Sequence, residues 1–122
     1  MSKLIRASDQ VCIVNDLKVA DSYFKRLKGL IGTKKFVAGD GLLFPNCNSV
    51  HMWMMSIPID VVFLKTTNNH IGKKWEIVGV RHQLKPWKLL PVSEFGADDA
   101  LELPVGVVQS LSLKKGDWLC IA

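Results

Sequence analysis

Cysteine is scarce, and the three present, Cys12, Cys47 and Cys120, form no C-x-x-C pair and stand at no histidine spacing that would suit zinc. A disulfide framework is therefore not expected. Charge runs are equally short, the longest being the pairs Lys34-Lys35, Lys73-Lys74 and Lys114-Lys115, so no basic or acidic tail is present. Long apolar runs are missing too. The most apolar stretch, residues 50–64, is interrupted by His51, Ser56, Pro58 and Asp60 and falls short of the roughly 20 residues a spanning helix needs. At the N-terminus, Lys3 and Arg6 flank Leu4-Ile5, and the next apolar run, 11–14, is only four residues long, so no leader peptide is read. The expectation is a cytoplasmic chain with no membrane partner. Repeats, linkers and low-complexity tracts are absent as well.

What is there suits one compact domain spanning 1–122. The chain has 122 residues, 48% of them hydrophobic, enough to build a core without covalent staples. Lys plus Arg is 16 against 11 for Asp plus Glu, a formal charge of +5. Val11-Cys12-Ile13-Val14 reads as a buried strand and Asn15-Asp16 as a turn. From an N-cap at Asp21 or Ser22, apolar residues at Tyr23, Phe24, Leu27, Leu30 and Ile31 follow helical spacing and Gly32 suits the C-terminal cap. Strands are expected at Leu42-Leu43-Phe44, at 50–54 and at 61–64, with a turn at 66–69. A further strand over 75–80 ends at Lys85-Pro86-Trp87. Leu101-Glu102-Leu103 is expected to alternate outward and inward, Pro104 to open a short helix near 106–111, and Lys115-Gly116-Asp117 to turn into a last strand, 118–121. Six or seven short strands and two helices make a β-dominated α+β fold, a small, mostly antiparallel sheet that is closed or nearly so.

Several of these segments together resemble the family called domain of unknown function 192, small conserved bacterial and archaeal proteins with no established activity. They stand here as Arg26-Leu27-Lys28-Gly29-Leu30, Gly41-Leu42-Leu43-Phe44, and Val50-His51-Met52-Trp53-Met54-Met55 running into Pro58-Ile59-Asp60-Val61-Val62-Phe63-Leu64. Leu101-Glu102-Leu103-Pro104-Val105-Gly106 and Gly116-Asp117 complete the set. The order holds from about Ala20 to Ala122. Leu42 replaces the usual methionine of its motif, and Thr66-Thr67-Asn68-Asn69 replaces a usual Asp-Gly turn. The resemblance implies a compact β-rich fold and no particular reaction.

Five side chains stand out as ligand-binding candidates: Arg26, His51, Trp53, Asp60 and Glu102. His51, Trp53 and Met55 share one strand face by alternation, placing a tunable polar group beside a flat apolar wall, the composition of a small-molecule pocket. A histidine satisfied by a backbone carbonyl is the plainer reading of His51. Asp60 lies between Pro58-Ile59 and Val61-Val62, an apolar setting in which a carboxylate needs backbone N–H donors or an arginine such as Arg26. Arg26, Asp60 and Glu102 read either as a structural ion network or as groups that hold an anionic or hydroxylated ligand.

These residues lead to a non-enzymatic binding module for a small polar or anionic ligand or a peptide, with no cofactor and no metal. A hydrolytic enzyme using His51 with Asp60 or Glu102 is the reading from another class. A third is a weak single-stranded nucleic-acid binder, since Lys34-Lys35, Lys73-Lys74-Trp75, Arg81-His82, Lys85-Pro86-Trp87-Lys88 and Lys114-Lys115 interleave cations with aromatics. Copper(I) on Cys47, His51 and the methionines would need a bent strand, because alternation divides the methionines between two faces. Cys47 as a nucleophile with His51 as its base would likewise need the chain to fold back.

Overall fold

The computed structural model describes residues 2–20, 36–50, 57–69, 72–85 and 92–122. Seven strands close a barrel in the order β1 (Leu4–Arg6), β2 (Cys12–Val19), β3 (Gly39–Phe44), β8 (Asp99–Pro104), β5 (Ile59–Asn69), β6 (Gly72–Leu84) and β9 (Trp118–Ile121). The last of these pairs back onto β1 through Leu4↔Ile121 and Arg6↔Leu119. A separate two-stranded sheet joins β4 (Ser49–Val50) to β7 (Val92–Ser93). Neighbouring barrel strands run antiparallel except β2 and β3, which are parallel. The expected β-dominated, closed α+β sheet is therefore present.

Alternation along the strands divides the apolar residues between two cores. The first fills the barrel and takes a buried residue from each barrel strand, among them Leu4, Val14, Leu43, Leu64, Ile77, Leu101 and Leu119. Val107 and Val108 of the short helix α1 (Val107–Ser110) join the same core. The second lies against the outside of β3, β5 and β8, where Phe44, Ile59, Val61, Phe63 and Ala100 pack with Val50 of β4 and Val92 of β7. Because that outer face is covered, β8 is buried along its whole length. Leu101 and Leu103 do alternate with Glu102, but neither set faces water.

Several local expectations are corrected. Asn15-Asp16 lies inside β2 rather than in a turn: the register with β3 slips between Val14 and Asp16, so Asn15 is the extra residue of a bulge. Residues 66–69 likewise continue β5, pairing with β6 from Thr66↔Trp75 to Asn69↔Gly72. Threonine is at home in a strand, and the cross-strand partners outweigh the turn preference of the asparagines. Pro104 ends β8 instead of opening the helix, which begins after Gly106 in a left-handed conformation at φ 94°. Two of the strands are long, β5 with 11 residues and β6 with 13. Of the strand expected over 50–54, only Val50 falls among the described residues, and the helix expected from Asp21 lies outside them.

Candidate functional site

β5 and β8 carry the two described candidates on neighbouring rungs, with Asp60 opposite Leu103 and Val61 opposite Glu102. One rung apart, the two side chains leave opposite faces of the ladder. Asp60 points into the end of the barrel, is 0% exposed, and is satisfied by backbone alone. Its Oδ1 accepts the Gln83 N–H at 2.8 Å. Its Oδ2 accepts those of Gly106 at 3.0 Å and Val108 at 2.9 Å. Gln83 sits at φ 58° where the β5–β6 register slips, so the carboxylate pins a bulge on one side and the start of α1 on the other. Three charge-assisted hydrogen bonds offset the cost of burying the charge.

Glu102 has the opposite character. It shares the outer face with Leu42 and Val61, its register neighbours on β3 and β5, and it is 5% exposed. Its Oε1 is buried with no hydrogen-bond partner among the described residues. Burial without a compensating donor or cation pushes its pKa up to about 8, so the carboxyl is largely neutral at pH 7. A buried, unsatisfied polar atom is uncommon enough to call for a reason, and a ligand is one.

Asp60 and Glu102 therefore do not converge, and among the described residues neither carboxylate meets an arginine. Arg26, His51 and Trp53 lie outside the described residues. Val50, the residue before His51, packs in the outer core that also holds Val61 and Leu42.

Sequence reasoning overlooked Asp99. At the other end of the barrel its Oδ2 accepts the Trp75 indole N–H at 2.8 Å and the Thr66 hydroxyl at 2.7 Å, while Oδ1 accepts the Asn46 N–H at 3.0 Å. Trp75 is consequently buried, 3% exposed, and presents no face for stacking at the Lys73-Lys74-Trp75 edge. The aromatic exposed on that side is Trp118, which passed as an ordinary strand residue. A tryptophan opening a final strand after Gly-Asp was the signal available. Among the described residues no cluster of three metal-ligating side chains occurs, and no helix is long and apolar enough to cross a membrane.

These features define a small mixed β-barrel with a plugged interior and one strand face roofed by a second core. The chain belongs to the domain of unknown function 192 family, described as uncharacterized ACR, whose profile matches residues 4–121. A UPF0127 protein of Thermococcus sibiricus is 32% identical over 105 residues, and another of Thermococcus kodakarensis is 29% identical over 107. The alignments cover 83% and 84% of this chain but 62% of each relative, so the chain spans under two-thirds of their length. Two solved structures share the fold at a TM-score of 0.80. One is a protein of unknown function from Novosphingobium aromaticivorans, 19% identical, covering 97% of this chain and 83% of its own. The other, from Sinorhizobium meliloti and provisionally described as a transcription regulator, is 21% identical, with coverage of 98% and 91%.

Proposed function

We propose that this chain is a non-enzymatic binding module that accepts a small polar or anionic ligand, or a peptide end, at Glu102, where the second core meets the outer face of β3, β8 and β5. The observation that carries the reading is the buried Oε1 of Glu102, which has no hydrogen-bond partner among the described residues. A neutral carboxyl there donates one hydrogen bond and accepts another, which suits a carboxylate, carbonyl or hydroxyl of a ligand. Asp60 serves this site by holding the frame, since all three of its bonds go to backbone. Arg26, His51 and Trp53 enter the proposal from their motifs, as the cation, the tunable polar group and the flat wall.

A second reading is favoured by the same atom, because a buried carboxyl near pKa 8 has the protonation state of a general acid. A hydrolase built this way would pair Glu102 with His51, as Asp60 faces the other side of the ladder. The test for both is a thermal-shift screen against organic acids, sugars and short peptides, run on the parent and on Glu102→Leu and Glu102→Gln. Ligands that bind only the folded state raise the melting temperature. The binding reading expects a compound whose shift is lost in Glu102→Leu and partly kept in Glu102→Gln. It falls if no compound stabilises the parent, or if Glu102→Leu responds as the parent does. Hydrolysis of a stabilising ester or glycoside, abolished in Glu102→Gln, would favour the enzyme.

A further inference from the structure

A second surface, at the far ends of β5 and β6 and on β9, away from the Glu102 rung, has the parts of a binding groove. It has a volume of about 530 Å³, and its lining includes Ala7, Ser8, Thr67, Lys74, Asp117 and Trp118. That volume lies in the range of small-ligand sites. Barrel closure assembles it from three places. Thr67 and Lys74 are register partners on β5 and β6, Glu76 on β6 stands opposite Trp118 on β9, and Ala7 donates its N–H to the Trp118 carbonyl at 2.8 Å.

The charges in and around the groove are unevenly committed. Asp117 accepts the Lys114 backbone N–H at 3.1 Å, faces the Lys114 ammonium at 3.4 Å and lies 3.7 Å from Arg6. Its negative charge is thus already offset. Arg6 is engaged by Asp9 at 3.0 Å and by the Leu111 carbonyl at 2.7 Å. Lys74 and Lys115, by contrast, take part in no ion pair among the described residues, whereas Lys73 lies over the Trp75 ring at 5.5 Å. Glu76 is the carboxylate left uncommitted on this flank, against the cations Lys74 and Lys115. Trp118 is 39% exposed, and its indole N–H has no hydrogen-bond partner among the described residues. A large half-exposed aromatic beside an unpaired ammonium and the hydroxyls of Ser8 and Thr67 matches a ligand with a flat face and an anionic group.

We infer that this groove binds a nucleotide unit, free or within a single strand, with its base stacked on Trp118 and its phosphate held by Lys74. Stacking on an exposed aromatic tolerates any base. A single ammonium serves as a point charge for phosphate. The groove needs neither Glu102 nor the outer core, so this inference stands or falls apart from the function proposed above.

The test is a fluorescence titration of the whole chain with adenosine monophosphate in one arm and a single-stranded dodecathymidylate in the other. The parent, Trp118→Ala, Trp118→Phe and Lys74→Gln are compared, with circular dichroism confirming that each variant is folded. Saturable quenching is expected in the parent and is lost in Trp118→Ala. A competition titration should show affinity falling about tenfold or more in Trp118→Ala, with most of it retained in Trp118→Phe. Lys74→Gln should weaken binding and flatten its dependence on salt. Saturation by the mononucleotide as tight as by the oligonucleotide assigns the site to free nucleotide, and much tighter oligonucleotide binding assigns it to a strand. No saturable quenching by either probe, or affinities unchanged in both Trp118→Ala and Lys74→Gln, overturns the inference.

Discussion

The carboxylate of Asp60 accepts the backbone N–H of Val108, 48 residues further along the chain, at 2.9 Å. The same oxygen holds Gly106, and its partner oxygen holds Gln83 across the β5–β6 bulge. One buried side chain therefore ties the long hairpin to the helix that plugs the barrel, a join that local sequence preference does not make. Gly106, with φ 94°, offers no side chain to cap α1, and Asp60 takes that place from another strand.

Replacing Asp60 by alanine should leave the buried Val108 N–H and the part-buried N–H groups of Gln83 and Gly106 without an acceptor, and a buried loss costs about 1 to 3 kcal/mol. The expected destabilisation is about 3 to 5 kcal/mol, read as a lower urea midpoint, with Asp60→Asn intermediate because the amide still offers one acceptor oxygen. Amide exchange at Val108 should accelerate more than exchange in β1. An unchanged midpoint for Asp60→Ala would remove Asp60 from the frame.

Asp99 performs the matching task at the opposite end, where its carboxylate gathers Trp75, Thr66 and Asn46. Asp99→Ala should cost about 2 to 4 kcal/mol and leave the Trp75 indole N–H unsatisfied. Trp75→Phe removes the indole N–H donor while keeping an aromatic ring. In a double-mutant cycle the two substitutions should couple by about 1 kcal/mol or more. Additive effects on the urea midpoint would show that the 2.8 Å contact contributes nothing of its own.

The residues that could be recognised beforehand were those whose chemistry clashes with their neighbours. Asp60 between Ile59 and Val61, and Glu102 between two leucines, are anomalies in any single sequence. Which face each takes was less legible. Alternation gives relative faces, but both faces of β8 are covered, so the usual contrast of wet and dry sides is absent. Asp99 went unnoticed because Ala97-Asp98-Asp99 reads as an ordinary polar approach to a strand, and its partner Trp75 lies on another strand. The misjudged turns share one cause. Asn15-Asp16 and Thr66-Thr67-Asn68-Asn69 carry turn-favouring residues, yet ladder partners supplied by β3 and β6 override local preference. The barrel was legible because seven short apolar runs without long helices have few other ways to bury their surfaces.

Gly41, in the Gly-Leu-Leu-Phe motif, has a packing reason. A Cβ built there would lie 2.6 Å from Cγ2 and 3.0 Å from Cγ1 of Val14, a side chain 0% exposed in the barrel core. Neither β2 nor β3 can yield without disturbing the parallel pair. Gly41→Ala is expected to destabilise by about 2 kcal/mol or more. Gly79→Ala is the control: its Cβ would meet the Glu94 carboxylate, which can swing outward at the cost of a part-exposed ion pair to Arg81, about 1 kcal/mol or less. Equal melting temperatures for the two variants would show that β2 and β3 accommodate the methyl.

Glu102 makes a pH-dependent prediction whose sign differs from that of an ordinary paired carboxylate. Its folded-state pKa is raised from 4.5 to about 8 by burial, so between those values the folded chain holds a proton that the unfolded chain has released. Proton uptake on folding means that stability from this group is greatest below pH 4.5 and declines as pH rises towards 8. At about 1.4 kcal/mol per pH unit, the decline between pH 4.5 and 7 is on the order of 3 kcal/mol. Glu102→Gln keeps the shape without the ionisation, so its melting temperature should exceed the parent's at pH 8, and the difference should shrink towards pH 5. The check is a pair of melting curves across that range. A constant difference between parent and variant would mean that Glu102 is already ionised in the fold, with a counter-charge satisfying it.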